Sequence, residues 1–186
     1  RLVESRNNAG ITLLTQRSTT FLSVAFKKEL WEDVESNSEY LIQLQGKPFE
    51  FWMLILALEQ QGKVEELQSA IEQLEKGFPN LKITTIAKCL KELDQEELRK
   101  ELQSIDISTV GVYHAIGLYG RLCIKTGLNE LGRDAITLAI DRGTAVSADR
   151  AKLAYYYFEI KEYEQALTVL RSVGLANHEF TWQVLR

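Results

Sequence analysis

The two histidines, His114 and His178, stand 64 residues apart, and neither has a cysteine, histidine or carboxylate at metal-site or triad spacing. Gly111, Gly117, Gly120 and Gly127 are spread along a helical segment instead of gathering in a phosphate-cradling loop. The carboxylates Asp94, Glu96 and Glu97 read as a helix start, where negative charge complements the backbone dipole. The tract from Glu65 to Lys76 reads as a solvated helix face. Cys89 and Cys123, the only cysteines, lie 34 residues apart in one column with Ala25, Leu58 and Tyr157. Buried small hydrophobes are expected there, not a disulfide or a metal pair. The expectation is a non-enzymatic protein with no catalytic residues, no metal and no cofactor.

What must position any other site is a repeat. One column of residues reads Val34, Leu67, Leu98, Gly132 and Ala166, at steps of 31 to 34 residues. Four residues on, a second reads Ser38, Ile71, Leu102, Ile136 and Leu170, and a third reads Leu41, Leu74, Ile105, Ala139 and Val173. Periods of this size mark supersecondary units that bury their apolar faces only by stacking. The clearest unit runs from Phe49 to Asn80: Phe51, Leu54, Ile55 and Leu58 fall at helical spacing, and Gln61-Gly62-Lys63 breaks the helix. Leu67, Ile71 and Leu74 then mark a second helix, which Gly77 and Pro79 end.

The plan returns from Tyr113 to Gly143, with a turn at Lys125-Thr126-Gly127, and from Asp149 to Gly174, with a turn at Lys161-Glu162. Weaker units span Phe21 to Gln45, turning near Glu29-Leu30, and Ile83 to Ile107, turning at Asp94-Gln95 with a shortened spacer. Residues 1–20 are expected as a leading helix with a loop around Asn7-Asn8-Ala9-Gly10, residues 21–186 as the helical-repeat domain, and Glu179 to Arg186 as the start of another helix.

Two prolines and 11 glycines in 186 residues argue against a turn-rich all-β fold. Twenty-two basic against 26 acidic side chains leave a net charge of −4, the wrong sign for a chain whose main task is gripping phosphate backbones. The longest apolar run, Phe51 to Leu58, is too short to span a bilayer. Scarce cysteine and the lack of an Asn-x-Ser/Thr acceptor point to an intracellular protein, with the cytoplasm as the first expectation. Opening on Arg1 without an initiator Met fits a piece of a longer chain, in which case a missing targeting peptide proves nothing.

These slots resemble tetratricopeptide repeats. In the unit ending at Pro79 the matching residues are Phe51, Leu54, Ile55, Leu58, Leu67, Ile71 and Leu74, so its small slots are enlarged. In the fourth unit they are Ile116, Tyr119, Gly120, Cys123, Gly132, Ile136 and Ala139, with both small residues kept; in the fifth, Arg150, Leu153, Ala154, Tyr157, Ala166, Leu170 and Val173. The resemblance covers about 150 residues from Thr20 onward. It implies an all-α, right-handed α-solenoid of about five antiparallel helical hairpins that binds polypeptides. Glu75-Lys-Gly-Phe-Pro-Asn80 also looks like the pentatricopeptide family, which reads RNA through a polar residue near the start of each first helix. The corresponding residues are Thr19, Trp52, Ile83, Gly117 and Ala151, of which only Thr19 fits, so RNA binding is the alternative and a modular base-reading code is absent.

In such an array the first helices line a concave surface. Projection gives one column of Ser23, Leu56, Ala87, Arg121 and Tyr155, and a second of Phe26, Glu59, Leu90, Ile124 and Phe158. Lys27, Lys91, Lys125 and Lys152 flank them, and with Arg121 against Glu59 and Glu159 they give a local +3. The expected partner site is Phe26, Trp52, Leu56, Glu59, Leu90, Arg121, Lys125, Lys152, Tyr155 and Phe158, an apolar groove with a basic rim for an amphipathic or acidic polypeptide segment. The Lys, Asn, Asn, Lys, Arg set with which family members clamp a terminal carboxylate is not assembled here.

Overall fold

A computed structural model describes the backbone of residues 2–91 and 94–172, and side chains from Thr15 onward. Ten α-helices and no strand occur among the described residues. The helices are α1 (Leu2–Lys27), α2 (Trp31–Leu44), α3 (Pro48–Gln61), α4 (Val64–Gly77), α5 (Lys82–Lys88), α6 (Gln95–Ser104), α7 (Ala115–Lys125), α8 (Asn129–Asp141), α9 (Ser147–Glu159) and α10 (Tyr163–Ser172). The chain divides into two compact units, Arg1–Thr84 and Thr85–Arg186. In the first, each helix from α1 to α4 packs on the next; in the second, α7 packs on α8, α9 lies against both, and α10 packs on α9.

The repeat is written into the turns. Each first helix except α5 ends with a residue in the left-handed region: Glu29 (φ 54°), Gly62 (φ 69°), Gly127 (φ 78°) and Lys161 (φ 65°). The next residue then donates its N–H back five positions, Leu30 to Ala25, Lys63 to Leu58, Leu128 to Cys123 and Glu162 to Tyr157, at 2.9 to 3.0 Å. This closure satisfies carbonyls that a helix end otherwise leaves open, and it reverses the chain in two residues. Val34, Leu67, Leu98, Gly132 and Ala166 are each the fourth residue of α2, α4, α6, α8 and α10. Their N–H groups donate to Leu30, Lys63, Asp94, Leu128 and Glu162 at 2.9 to 3.1 Å, so the sequence column is a structural one. The fold is an all-α helical repeat.

The third hairpin departs from this rule. There Asp94 caps α6 with its own side chain, accepting from the N–H groups of Glu96 and Glu97 at 2.9 Å each. The expected loop around Asn7-Asn8-Ala9-Gly10 is not one: α1 runs unbroken through these residues and through position 20/21. The low helix propensities of asparagine and glycine are weak preferences that a continuing helix overrides. Val173, Gly174, His178 and the helix expected over Glu179 to Arg186 lie outside the described residues.

Inside the second unit, Gly120 of α7 meets Gly132 of α8. A Cβ built on Gly132 falls 2.7 Å from the Gly120 carbonyl oxygen and 2.6 Å from Ile124 Cγ1. One built on Gly120 falls 2.9 Å from the Gly132 carbonyl oxygen. Two backbones in contact leave no room for any side chain. Beside them Ile124, Ile136, Leu153 and Tyr156 form a buried cluster, closed by Ile140, Tyr157 and Val169. In the first unit the crossing slots hold Ile55, fully buried, and half-buried Leu67. There Lys63 binds Glu35 at 2.7 Å, joining α2 to the α3–α4 turn. Burial pushes the Glu35 carboxyl up, but hydrogen bonds from Lys63 and Gln61 outweigh it and hold the group below its ordinary value.

Two substitutions test this with opposite signs. Gly132→Ala should destabilise by about 1–3 kcal/mol despite alanine's higher helix propensity, because the added methyl meets backbone. Lys161→Gly should stabilise by about 0.5–1 kcal/mol by relieving a left-handed non-glycine residue. Urea unfolding followed by circular dichroism measures both; equal shifts of the same sign would contradict the geometry.

Candidate functional site

The ten expected partner-site residues are divided between the two units, and several of them are buried. Phe26 is buried with its ring edge-on to Trp31 at 5.9 Å, and Trp52 and Leu56 belong to the core around α3. These three are corrections to the groove: Phe26 of α1 packs inward on Trp31, and α3 is buried along Glu50 to Leu58, so helical spacing there marks a helix enclosed all round and not an open apolar face. Glu59 and Leu90 are half-buried. Arg121 is largely buried and its Nε donates to Asp149 Oδ1 at 2.7 Å. Lys125, Lys152, Tyr155 and Phe158 reach the surface of the second unit to varying degrees.

Of these four, three stand on α9. Lys152 Nζ lies 5.8 Å from the centre of the Tyr155 ring. The Tyr155 hydroxyl bonds to the Glu159 carboxylate, which raises its pKa. Phe158 stands edge-on to Tyr163 at 5.5 Å. Tyr155 and Phe158 remain 40% and 43% exposed, with Leu167 of α10 also open to solvent. The second unit also holds a groove of about 460 Å³ lined by Ile140, Leu153, Tyr157, Thr168 and Val169, with Glu164 among its polar residues.

The positions tested for base reading are closed: Trp52, Ile83, Gly117 and Ala151 are buried, and only Thr19 is partly open. Cys89 and Cys123 are buried free thiols, each pushed up by burial to about 12. They are therefore protonated and unreactive at neutral pH. Among the described residues no cluster of histidine, cysteine and carboxylate suits a metal ion. No described helix is long and apolar enough to cross a membrane.

Sequence reasoning missed two buried acids at one repeat position. Eight residues before the turn acceptors Leu58 and Tyr157 stand Glu50 and Asp149, third residues of α3 and α9, each 2% exposed. Asp149 Oδ2 accepts the Val146 N–H at 2.9 Å, capping α9, while Oδ1 takes Arg121. Gly117, one turn before Arg121, makes room: a Cβ there would overlap the Asp149 carboxylate. Glu50 Oε1 accepts from Gln45 at 2.8 Å, but its Oε2 has no partner. The signal was present as an acid at the same offset from two repeat turns.

The two acids should answer neutralisation differently. Asp149→Asn leaves a buried guanidinium without its counter-charge and should cost about 3 kcal/mol, whereas Glu50→Gln should fall within about 1 kcal/mol of the parent. Chemical unfolding of both single variants reads the difference; equal losses would mean that the Arg121 pair is not what sets Asp149 apart.

Comparison with known proteins adds little. No family model matches the chain, and no curated protein matches it. Among solved structures the chain is similar to the MamA RS-1 ArsTM double mutant, at 14% identity and a TM-score of 0.44, over 86% of this chain and 92% of that one.

Proposed function

We propose that this protein is a non-enzymatic interaction scaffold that holds a polypeptide segment against the α9 surface of its second unit. The observation that carries this reading is that two aromatics three residues apart on α9, Tyr155 and Phe158, are exposed, with Lys152 beside Tyr155 and Lys125 exposed in the last turn of α7. Exposed rings of this size on a rigid helix, adjoining the Ile124–Leu153–Tyr156 cluster, supply the desolvated centre that hot spots of polypeptide interfaces require. The lysines supply a charged rim that favours amphipathic segments with acidic flanks. Arg121 is committed to Asp149 and contributes through packing.

Fluorescence titration of a panel of amphipathic helical peptides, with acidic, neutral and basic flanks, tests the reading. Tyr155→Ala and Phe158→Ala should each weaken the best binder by about 1–3 kcal/mol with the helical circular dichroism retained. Lys125→Glu with Lys152→Glu should chiefly slow association, most at low salt. Unchanged affinity in all these folded variants would move the site off α9.

A further inference from the structure

The turn hydrogen bonds fix which residues of successive first helices are equivalent, and that equivalence picks out apolar positions left uncovered in each unit. Counting from the acceptors Ala25, Leu58, Cys123 and Tyr157, the positions four and one before them are Phe21 and Val24 in α1, Leu54 and Ala57 in α3, Tyr119 and Leu122 in α7, and Leu153 and Tyr156 in α9. The last three pairs are buried. Phe21 and Val24 are 46% and 47% exposed, and with Arg17 and Thr20 they line an open groove of about 560 Å³.

A face of the second unit behaves likewise. Ile124 and Ile136 of α7 and α8 receive Leu153 and Tyr156 of α9. Their equivalents one hairpin later are Phe158, exposed, and Leu170, half-buried. In the repeat register the buried pair Arg121–Asp149 maps onto Tyr155 of α9 and Arg17 of α1. A cation at position 17 thus complements an aromatic ring whose hydroxyl already holds the Glu159 carboxylate.

We propose that the α9–α10 face of one copy of this chain receives the α1 face of a second copy, repeating between molecules the contact that α7 and α8 make with α9. This rests on the polypeptide-binding reading above and names its partner. Phe21 and Val24 enter between α9 and α10 beside Phe158 and Leu170, and Arg17 meets Tyr155 and Glu159. The contact is heterologous, because two different faces meet, so association continues beyond the dimer unless the rotation closes a ring.

Sedimentation velocity of the chain Arg1–Arg186 decides it, with Phe21→Gln and Phe158→Gln as variants. Both side chains are exposed, and circular dichroism confirms folding. The parent chain should gain mass with concentration past the dimer, and each variant alone should associate about tenfold or more weakly. An equimolar mixture should recover a dimer and nothing larger, since it retains one intact pair of faces. A parent chain that stays monomeric overturns the proposal, and the peptide titrations alone then decide the polypeptide reading. Association indifferent to both variants, or a mixture that recovers no dimer, also overturns it.

Discussion

A single backbone hydrogen bond, donated five residues back across four of the hairpin turns, sets the geometry on which everything else depends. It requires a left-handed residue, and the chain supplies glycine at Gly62 and Gly127 but Glu29 and Lys161 in the other two hairpins. Non-glycine residues in that region cost about 1 kcal/mol or more, so those turns persist because packing on both sides over-determines them. The acceptor column, Ala25, Leu58, Cys123 and Tyr157, carries side chains of very different volume. The bond is made by main chain and is indifferent to them.

Side chains decide how closely the two helices of a hairpin approach. Gly120 against Gly132 brings α7 and α8 into backbone contact, whereas Ile55 and Leu67 occupy those slots in the α3–α4 hairpin. Ridges of branched side chains demand a wider separation than bare backbone. The same turn thus serves hairpins of unequal thickness. Burial follows suit: α3 is enclosed along Glu50 to Leu58, while α9 keeps one face open at Tyr155 and Phe158.

The all-α repeat was legible in the sequence because equal spacing of apolar residues reports equal spacing of turns. Val34, Leu67, Leu98, Gly132 and Ala166 needed only counting. The site was legible in part. Periodicity tells which residues share a column, but not whether a neighbouring helix covers it. Leu56 and Tyr155 share a column, yet one is buried and the other open, because the first has neighbours on every side. The Arg121–Asp149 pair escaped notice because its members lie 28 residues apart on different first helices, and pairing across that distance needs coordinates.

That pair carries a consequence for how such a chain can change over time. Asp149 is accommodated only by a preceding helix with glycine and arginine one turn apart. The hairpin that begins with α9 is therefore keyed to the one before it. Duplicating it, or moving it to another place in the array, would set a carboxylate against a neighbour without that notch and without that cation. The units look interchangeable in outline, yet their order is encrypted in a lock of three side positions, and recombination between them would be purged wherever it separates key from keyhole.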